Sequence, residues 1–184
     1  MKLYAISAES SGRFPTPYQS NLGTHLVALR IVDLDTKAVI YSEVFSRDTG
    51  ESVNSDFHNI TDQMVAGKPT FSSQAAALKE WMLNPAEPKM FLCMGLSFYQ
   101  ELFRRYGIAR DGLFLDMLPM ITDVRDMQAR VNMPSNAPGT KQMSIPEAAE
   151  FMGKDEPKTP EQKTDVICSF WDWKKSNLVM RGVS

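Results

Sequence analysis

Cysteine is scarce in this sequence, with only Cys93 and Cys168 among 184 residues. Both lie in apolar runs, Phe-Leu-Cys-Met-Gly and Val-Ile-Cys-Ser-Phe-Trp, so they read as buried free thiols of a reducing compartment rather than a disulfide. Long hydrophobic runs are missing too: none approaches the ~20 residues of a membrane span. The opening stretch Met1-Lys-Leu-Tyr-Ala-Ile-Ser-Ala-Glu9 turns polar after six residues and offers no signal-peptide core. A cytoplasmic location is the expectation. A large charge of one sign is also lacking, since 20 basic and 22 acidic side chains leave a net −2. A duplex binder that relied on charge alone would be more basic, although local basic patches or bound metal ions can still hold phosphate. There is no internal repeat and no low-complexity tract.

What is present is an ordinary globular composition, 43% hydrophobic and 23% charged. The length suits one domain over residues 1–184 with a full core. Leu3–Ile6 reads as a first strand ending at the polar Ser7-Ala-Glu-Ser-Ser-Gly12. Residues 24–32 and 38–45 read as an antiparallel pair around the turn Asp33-Leu-Asp-Thr-Lys37. A helical turn fits 61–66, and a helix capped by Ser72 or Ser73 runs to Met82. Lys89–Gly95 is apolar on both faces and suits an interior strand. Ser97 is a candidate cap for a helix through Tyr106, and Leu113–Met120 reads as the last strand. The stretch 132–160 holds five of the 11 prolines and reads as two loops around a short helix at 145–152, with Pro146 in its first turn. A final helix spans about 160–175 with Val166, Ile167, Phe170 and Trp171 on its apolar side. This order of elements describes an α/β fold, a mixed sheet flanked by helices.

The stretch from Asp56 to Phe71, Asp-Phe-His-Asn-Ile-Thr-Asp-Gln-Met-Val-Ala-Gly-Lys-Pro-Thr-Phe, resembles the H-G-I-T-x-x-M…P-x-F segment of DEDD-type 3′–5′ exonucleases. With the order of elements, the resemblance covers about residues 3–175 and implies their ribonuclease-H-like fold. Members of that family cleave phosphodiesters with two divalent cations, one activating water and one stabilising the leaving oxygen. Converging carboxylates hold the cations, because Mg²⁺ prefers hard oxygen ligands. Against the family's motifs, Ser7-Ala-Glu-Ser-Ser-Gly12 keeps Glu9 and has Ser7 where an aspartate is expected. The second motif falls on Cys93-Met-Gly-Leu-Ser-Phe-Tyr99 and places Tyr99 at an aspartate position. The third falls on Pro160-Glu-Gln-Lys-Thr-Asp165, keeps Asp165, and has Pro160 in place of the general-base histidine. Two carboxylates of four remain, Glu9 and Asp165, and these are the metal-ligand positions the resemblance retains.

Losing two ligands and the base points to a degenerate exonuclease that works by binding a nucleic-acid end or a protein partner, with no cofactor. The alternative is an active 3′–5′ exonuclease with an unusual metal shell, using Mg²⁺ or Mn²⁺. Asp116 and Asp123 are the candidate substitute ligands, and His25 starts the second strand near the end of the first. Asp123-Val-Arg125 also looks like the Asp-Ile/Leu-Arg of phage-type members, which fits a virus-encoded protein with a host partner. Its other reading is a helix start capped by Asp123. Trp173, Lys174 and Lys175 are the candidate nucleic-acid or partner contacts, pairing a stacking surface with charge. Arg104, Arg105 and Arg110 suit a helix C-terminus on electrostatic grounds alone.

Overall fold

The computed structural model describes residues 1–11, 25–47, 58–124 and 143–180, with side chains as far as Asn177. Gly12, Asp56, Phe57, Arg125 and residues 132–142 lie outside the described residues. Among the described residues five strands form one mixed sheet in the order β3-β2-β1-β4-β5. They are β1 (Lys2–Ser10), β2 (Leu26–Asp33), β3 (Val39–Val44), β4 (Lys89–Cys93) and β5 (Phe114–Asp116). The pairs β1–β2 and β2–β3 are antiparallel, whereas β1–β4 and β4–β5 are parallel. Helix α1 is Asp62–Val65, α2 is Phe71–Leu83 and α3 is Leu96–Arg104. The described part of α4 is 118–124, α5 is Ile145–Phe151 and α6 is Pro160–Met180. No helix among the described residues is long and apolar enough to cross a membrane.

Strand alternation divides the interior into two layers. Tyr4, Ile6 and Ala8 of β1 face α2 and α3 in a core rich in aromatic rings, including Phe45, Phe71, Phe91, Phe103 and Phe114. Ala5 faces the other side with Leu92, where Ile121 of α4, Ala148 of α5 and Val166, Ile167 and Phe170 of α6 close a more aliphatic core. Ser7 and Glu9 share the parity of Ala5 and therefore point toward α6.

The strands and helices fall close to where the sequence puts them, and the differences have local causes. β1 runs to Ser10 instead of ending near Ile6, because its ladder with β2 continues to Ser10↔Leu26. Helix α2 begins two or three residues earlier than the serine caps suggest: Thr70 holds the N-cap position, and Phe71 enters the helix buried against Phe45 and Tyr106. The expected strand 113–120 is a strand only at Phe114–Asp116. The Asp116 carboxylate then accepts the Leu118 amide at 3.0 Å and starts α4, whose Pro119 suits a first turn. Asp123 consequently lies inside α4 and is no helix cap. Helix α5 starts as expected, with Pro146 in its first turn, and Ser144 and Glu147 add a reciprocal capping box.

Candidate functional site at the end of the first strand

The ladder between β1 and β4 ends at Ala5↔Leu92, while β1 continues beside β2 for five more residues. One edge of residues 6–10 is thus left without a strand neighbour, at the carboxyl ends of two parallel strands where α/β sheets place their ligand crevices. Tyr99 of α3 fills this gap. Its hydroxyl accepts the Ala8 amide at 3.2 Å, and its ring packs among Phe98, Phe103 and Phe114. Burial, with smaller contributions from Cys93 and Glu9, pushes the phenol far above its ordinary pKa. Tyr99 is therefore a neutral group at the strand end. Ser7 is fully buried beside it, close enough to favour the phenolate, yet its Oγ closes no hydrogen bond of good geometry.

Glu9 is also buried, its side chain 8% exposed. Its partner comes from the first turns of α6: Lys163 Nζ donates to Oε1 at 2.6 Å, across 154 residues of sequence. Burial raises the carboxyl's pKa, and the charge and hydrogen bond of Lys163 oppose that rise. The rotation of α6 that brings Lys163 inward is set by its start. Gln162 Oε1 accepts the amides of Lys158 and Thr159, and Thr159 Oγ1 accepts the Gln162 amide. Thr159-Pro-Glu-Gln162 is thus a capping box with proline in the first turn, a signal present in the sequence but not read there.

Asp165 does not join Glu9. It is exposed and lines a shallow depression of about 280 Å³ with Arg30, Lys37, Lys154 and Asp172. It still lies on the helix that covers the Glu9 face of the sheet, so the two acids are not on opposite sides. Pro160 and His58 line a neighbouring groove of about 440 Å³ between β2, β3 and the start of α6. His58 is not available as a base. Its Nδ1 accepts the Ile60 amide at 3.1 Å and its Nε2 donates to Ser10 O at 3.2 Å, which occupies both ring nitrogens. Burial, opposed by the bond to Ser10 and aided by the nearby Lys163, lowers its pKa. Asn59 beside it adopts φ +56°, the left-handed conformation that the glycine of the resembled segment supplies without strain.

The other candidates are built into the fold. Asp116 accepts the amides of Gly95, Leu96 and Leu118, and so caps α3 from a neighbouring strand. This explains why α3 begins at Leu96 and does not use Ser97 as its cap. His25 lies beside the end of β1, where its amide donates to Ser11 Oγ. Arg104 and Arg105 pair with Glu101 within α3, and Arg110 binds the Lys89 carbonyl. Trp173 stacks on Phe170, Lys174 and Lys175 lie over the Trp171 ring, and Lys175 pairs with Asp35.

The donor set at the strand end does not fit a pair of divalent cations. It offers one carboxylate, already held by an ammonium group, together with a neutral hydroxyl and a neutral phenol. Among the described residues no group of three or more histidine, cysteine, aspartate or glutamate side chains is placed to hold a metal.

No protein-family model matches the sequence, and no curated protein does. Solved structures do. A 3′-exonuclease that recognises the 3′ end of the histone mRNA stem-loop superposes with a TM-score of 0.59 at 10% identity, covering 91% of this chain and 78% of that one. The nuclease domain of a DEDDh family member bound to rAMP gives 0.56 at 11% identity, over 91% and 88%. E. coli Exonuclease I bound to a dT13 oligonucleotide gives 0.62 at 13% identity; 91% of this chain is covered but only 39% of that enzyme. The chain has the ribonuclease-H-like fold of the DEDD exonucleases. What matches at these identities is the path of the backbone, and a shared fold does not carry its chemistry with it. At the end of β1 this chain presents Ser7, Glu9, Tyr99 and Lys163.

Proposed function

We propose that this chain is a non-hydrolysing member of the exonuclease fold that works by binding, with no metal at the end of β1. The observation that carries the reading is the buried ion pair between Glu9 and Lys163. A nuclease of this type needs its carboxylates free for cations. Here the carboxylate retained on β1 is committed to a lysine, and Tyr99 and Ser7 supply no charge beside it.

The binding partner in this reading is the end of a single-stranded nucleic acid or a protein. Structural neighbours solved with oligonucleotides support the first, while the balanced charge of the chain does not favour strong non-specific contact with phosphates. Trp173 stacks on Phe170 and Lys175 pairs with Asp35, so in this reading the end of α6 offers a partner charge from Lys174 more than a free stacking surface. The likeness of Asp123-Val-Arg125 to phage-type members supports a virus-encoded protein acting on a partner in the host cytoplasm.

The test is a nuclease assay on end-labelled single-stranded DNA and RNA with Mg²⁺ or Mn²⁺, run beside a binding assay in chelator. The expected result is intact substrate. Retention in chelator of an oligonucleotide with a free 3′ end assigns nucleic acid as the partner, and no retention directs the search to proteins. Progressive shortening from the 3′ end that Glu9→Ala abolishes would overturn the reading in favour of an active enzyme with an unusual metal shell.

A further inference from the structure

We propose that Lys163 is the cation of this site: its ammonium group replaces a divalent metal as the counter-ion of Glu9 and keeps metal ions out. This inference rests on the reading of a metal-free site and names the residue responsible.

Helix geometry supplies the first argument. Residues two apart on an α-helix point about 200° apart, so only one of positions 163 and 165 can face β1. Lys163 shares its stripe with Ile167 and Phe170, which are buried against the sheet. Asp165 shares the opposite stripe with Cys168, Ser169 and Asp172 around the shallow depression. The capping box at Thr159–Gln162 anchors the first turn of α6 and holds that choice. The carboxylate suited to a cation is thereby turned outward, and an ammonium group is turned in.

Electrostatics supplies the second. An ionised carboxylate as buried as Glu9, held by no backbone amide among the described residues, relies on its positive partner, because leaving it unpaired costs more than the pairing gains. Lys163 meets that need at 2.6 Å, with only 15% of its side chain exposed. An entering divalent ion would have to expel the ammonium and would then find one carboxylate, where such ions need several oxygen ligands. His58 carries no charge there to compete for Glu9, since both of its ring nitrogens are bonded to backbone.

The experiment is Mn²⁺ binding followed by the electron paramagnetic resonance signal of the free ion. It compares the unaltered chain, Glu9→Gln, Lys163→Asp, and Lys163→Asp combined with Glu9→Gln, each shown to be folded by circular dichroism. The expected result is no Glu9-dependent site in the unaltered chain. Lys163→Asp should bind Mn²⁺ at least about tenfold more tightly, a gain worth about 1.4 kcal/mol that Glu9→Gln removes. If Lys163→Asp does not fold, Lys163→Asn places a neutral oxygen at the same point and carries the same comparison, with a smaller gain. Folded variants that bind Mn²⁺ no better than the unaltered chain would overturn the proposal, as would a Glu9-dependent site in the unaltered chain of equal strength. Nuclease activity is read separately: hydrolysis by the unaltered chain would remove the proposed function, while the Mn²⁺ comparison alone decides the role of Lys163.

Discussion

Glu9 and Asp116 are both carboxylates at the carboxyl end of a strand in the same sheet, and the fold satisfies them in opposite ways. Glu9 meets the ammonium group of a residue 154 positions away. Asp116 meets three backbone amides, two from the start of α3 and one from the start of α4. An acid held by backbone amides is part of the architecture and needs no cation. One held by a side-chain cation depends on a second residue that evolution can change. The strand end at β5 is therefore fixed by the chain path, and the strand end at β1 can be rewritten by single substitutions.

The largest expected effect comes from removing the lysine. Lys163→Met should destabilise the protein by about 3 kcal/mol or more, because it leaves a buried carboxylate unpaired. The double change with Glu9→Gln should recover most of that loss. Chemical denaturation of the four members of this cycle measures the coupling, and a Lys163→Met cost under about 1 kcal/mol would reduce the pair to the level of a surface contact. Asp116→Ala comes next, at about 2 kcal/mol, since it uncaps two helix starts at once, with Asp116→Asn milder. Unlike Lys163→Met, it should gain nothing from a second-site change at Glu9, which separates the two kinds of strand end.

Tyr99→Phe keeps the ring and loses only the acceptor for the Ala8 amide, so about 1 kcal/mol is expected. A smaller effect lies in the pH dependence. His58 has a folded pKa below its ordinary 6.5, so its contribution to stability is complete above that value and is lost as pH falls through the lowered pKa. Glu9 has a folded pKa above its ordinary 4.5, so its contribution is complete below that value and is lost as pH rises through the raised pKa. Melting temperatures taken above and below pH 6.5 should therefore fall toward acid less steeply in His58→Gln than in the unaltered chain. Identical slopes would mean that the ring is not held neutral by burial. The smallest effect belongs to the exposed pair of Lys175 and Asp35: Lys175→Ala should change stability by no more than about 0.5 kcal/mol.

Much of the fold was legible because its signals are local. Alternation and β-branched residues mark β2 and β3, the run Lys89–Gly95 marks an interior strand, and Pro146 marks the first turn of α5. The helix starts that shifted did so for non-local reasons. Thr70 takes the N-cap of α2 because Phe71 is drawn into the helix by Phe45 and Tyr106. Gly95 can begin α3 because Asp116, twenty-one residues on, caps it from a neighbouring strand. At the site, Ser7, Glu9 and Tyr99 come together at the end of β1, whereas Asp165 stands elsewhere. A matching motif can carry Asp165 to the right helix without fixing its direction. The better signal was the spacing of Lys163, Ile167 and Phe170 on one stripe, with the Thr159–Gln162 box fixing where the helix starts.

The sequence by itself determined that an α/β sheet forms, that Ser7 and Glu9 follow the apolar run of the first strand, and that position 99 is a tyrosine with no charge to give near neutral pH. These follow from residue identity and local periodicity, which no neighbour can alter. Only the tertiary structure decided which residue answers Glu9. A buried carboxylate takes whichever cation the packing of a distant helix delivers, and the rotation of α6 that buries Ile167 and Phe170 brings Lys163 inward and leaves Asp165 in solvent.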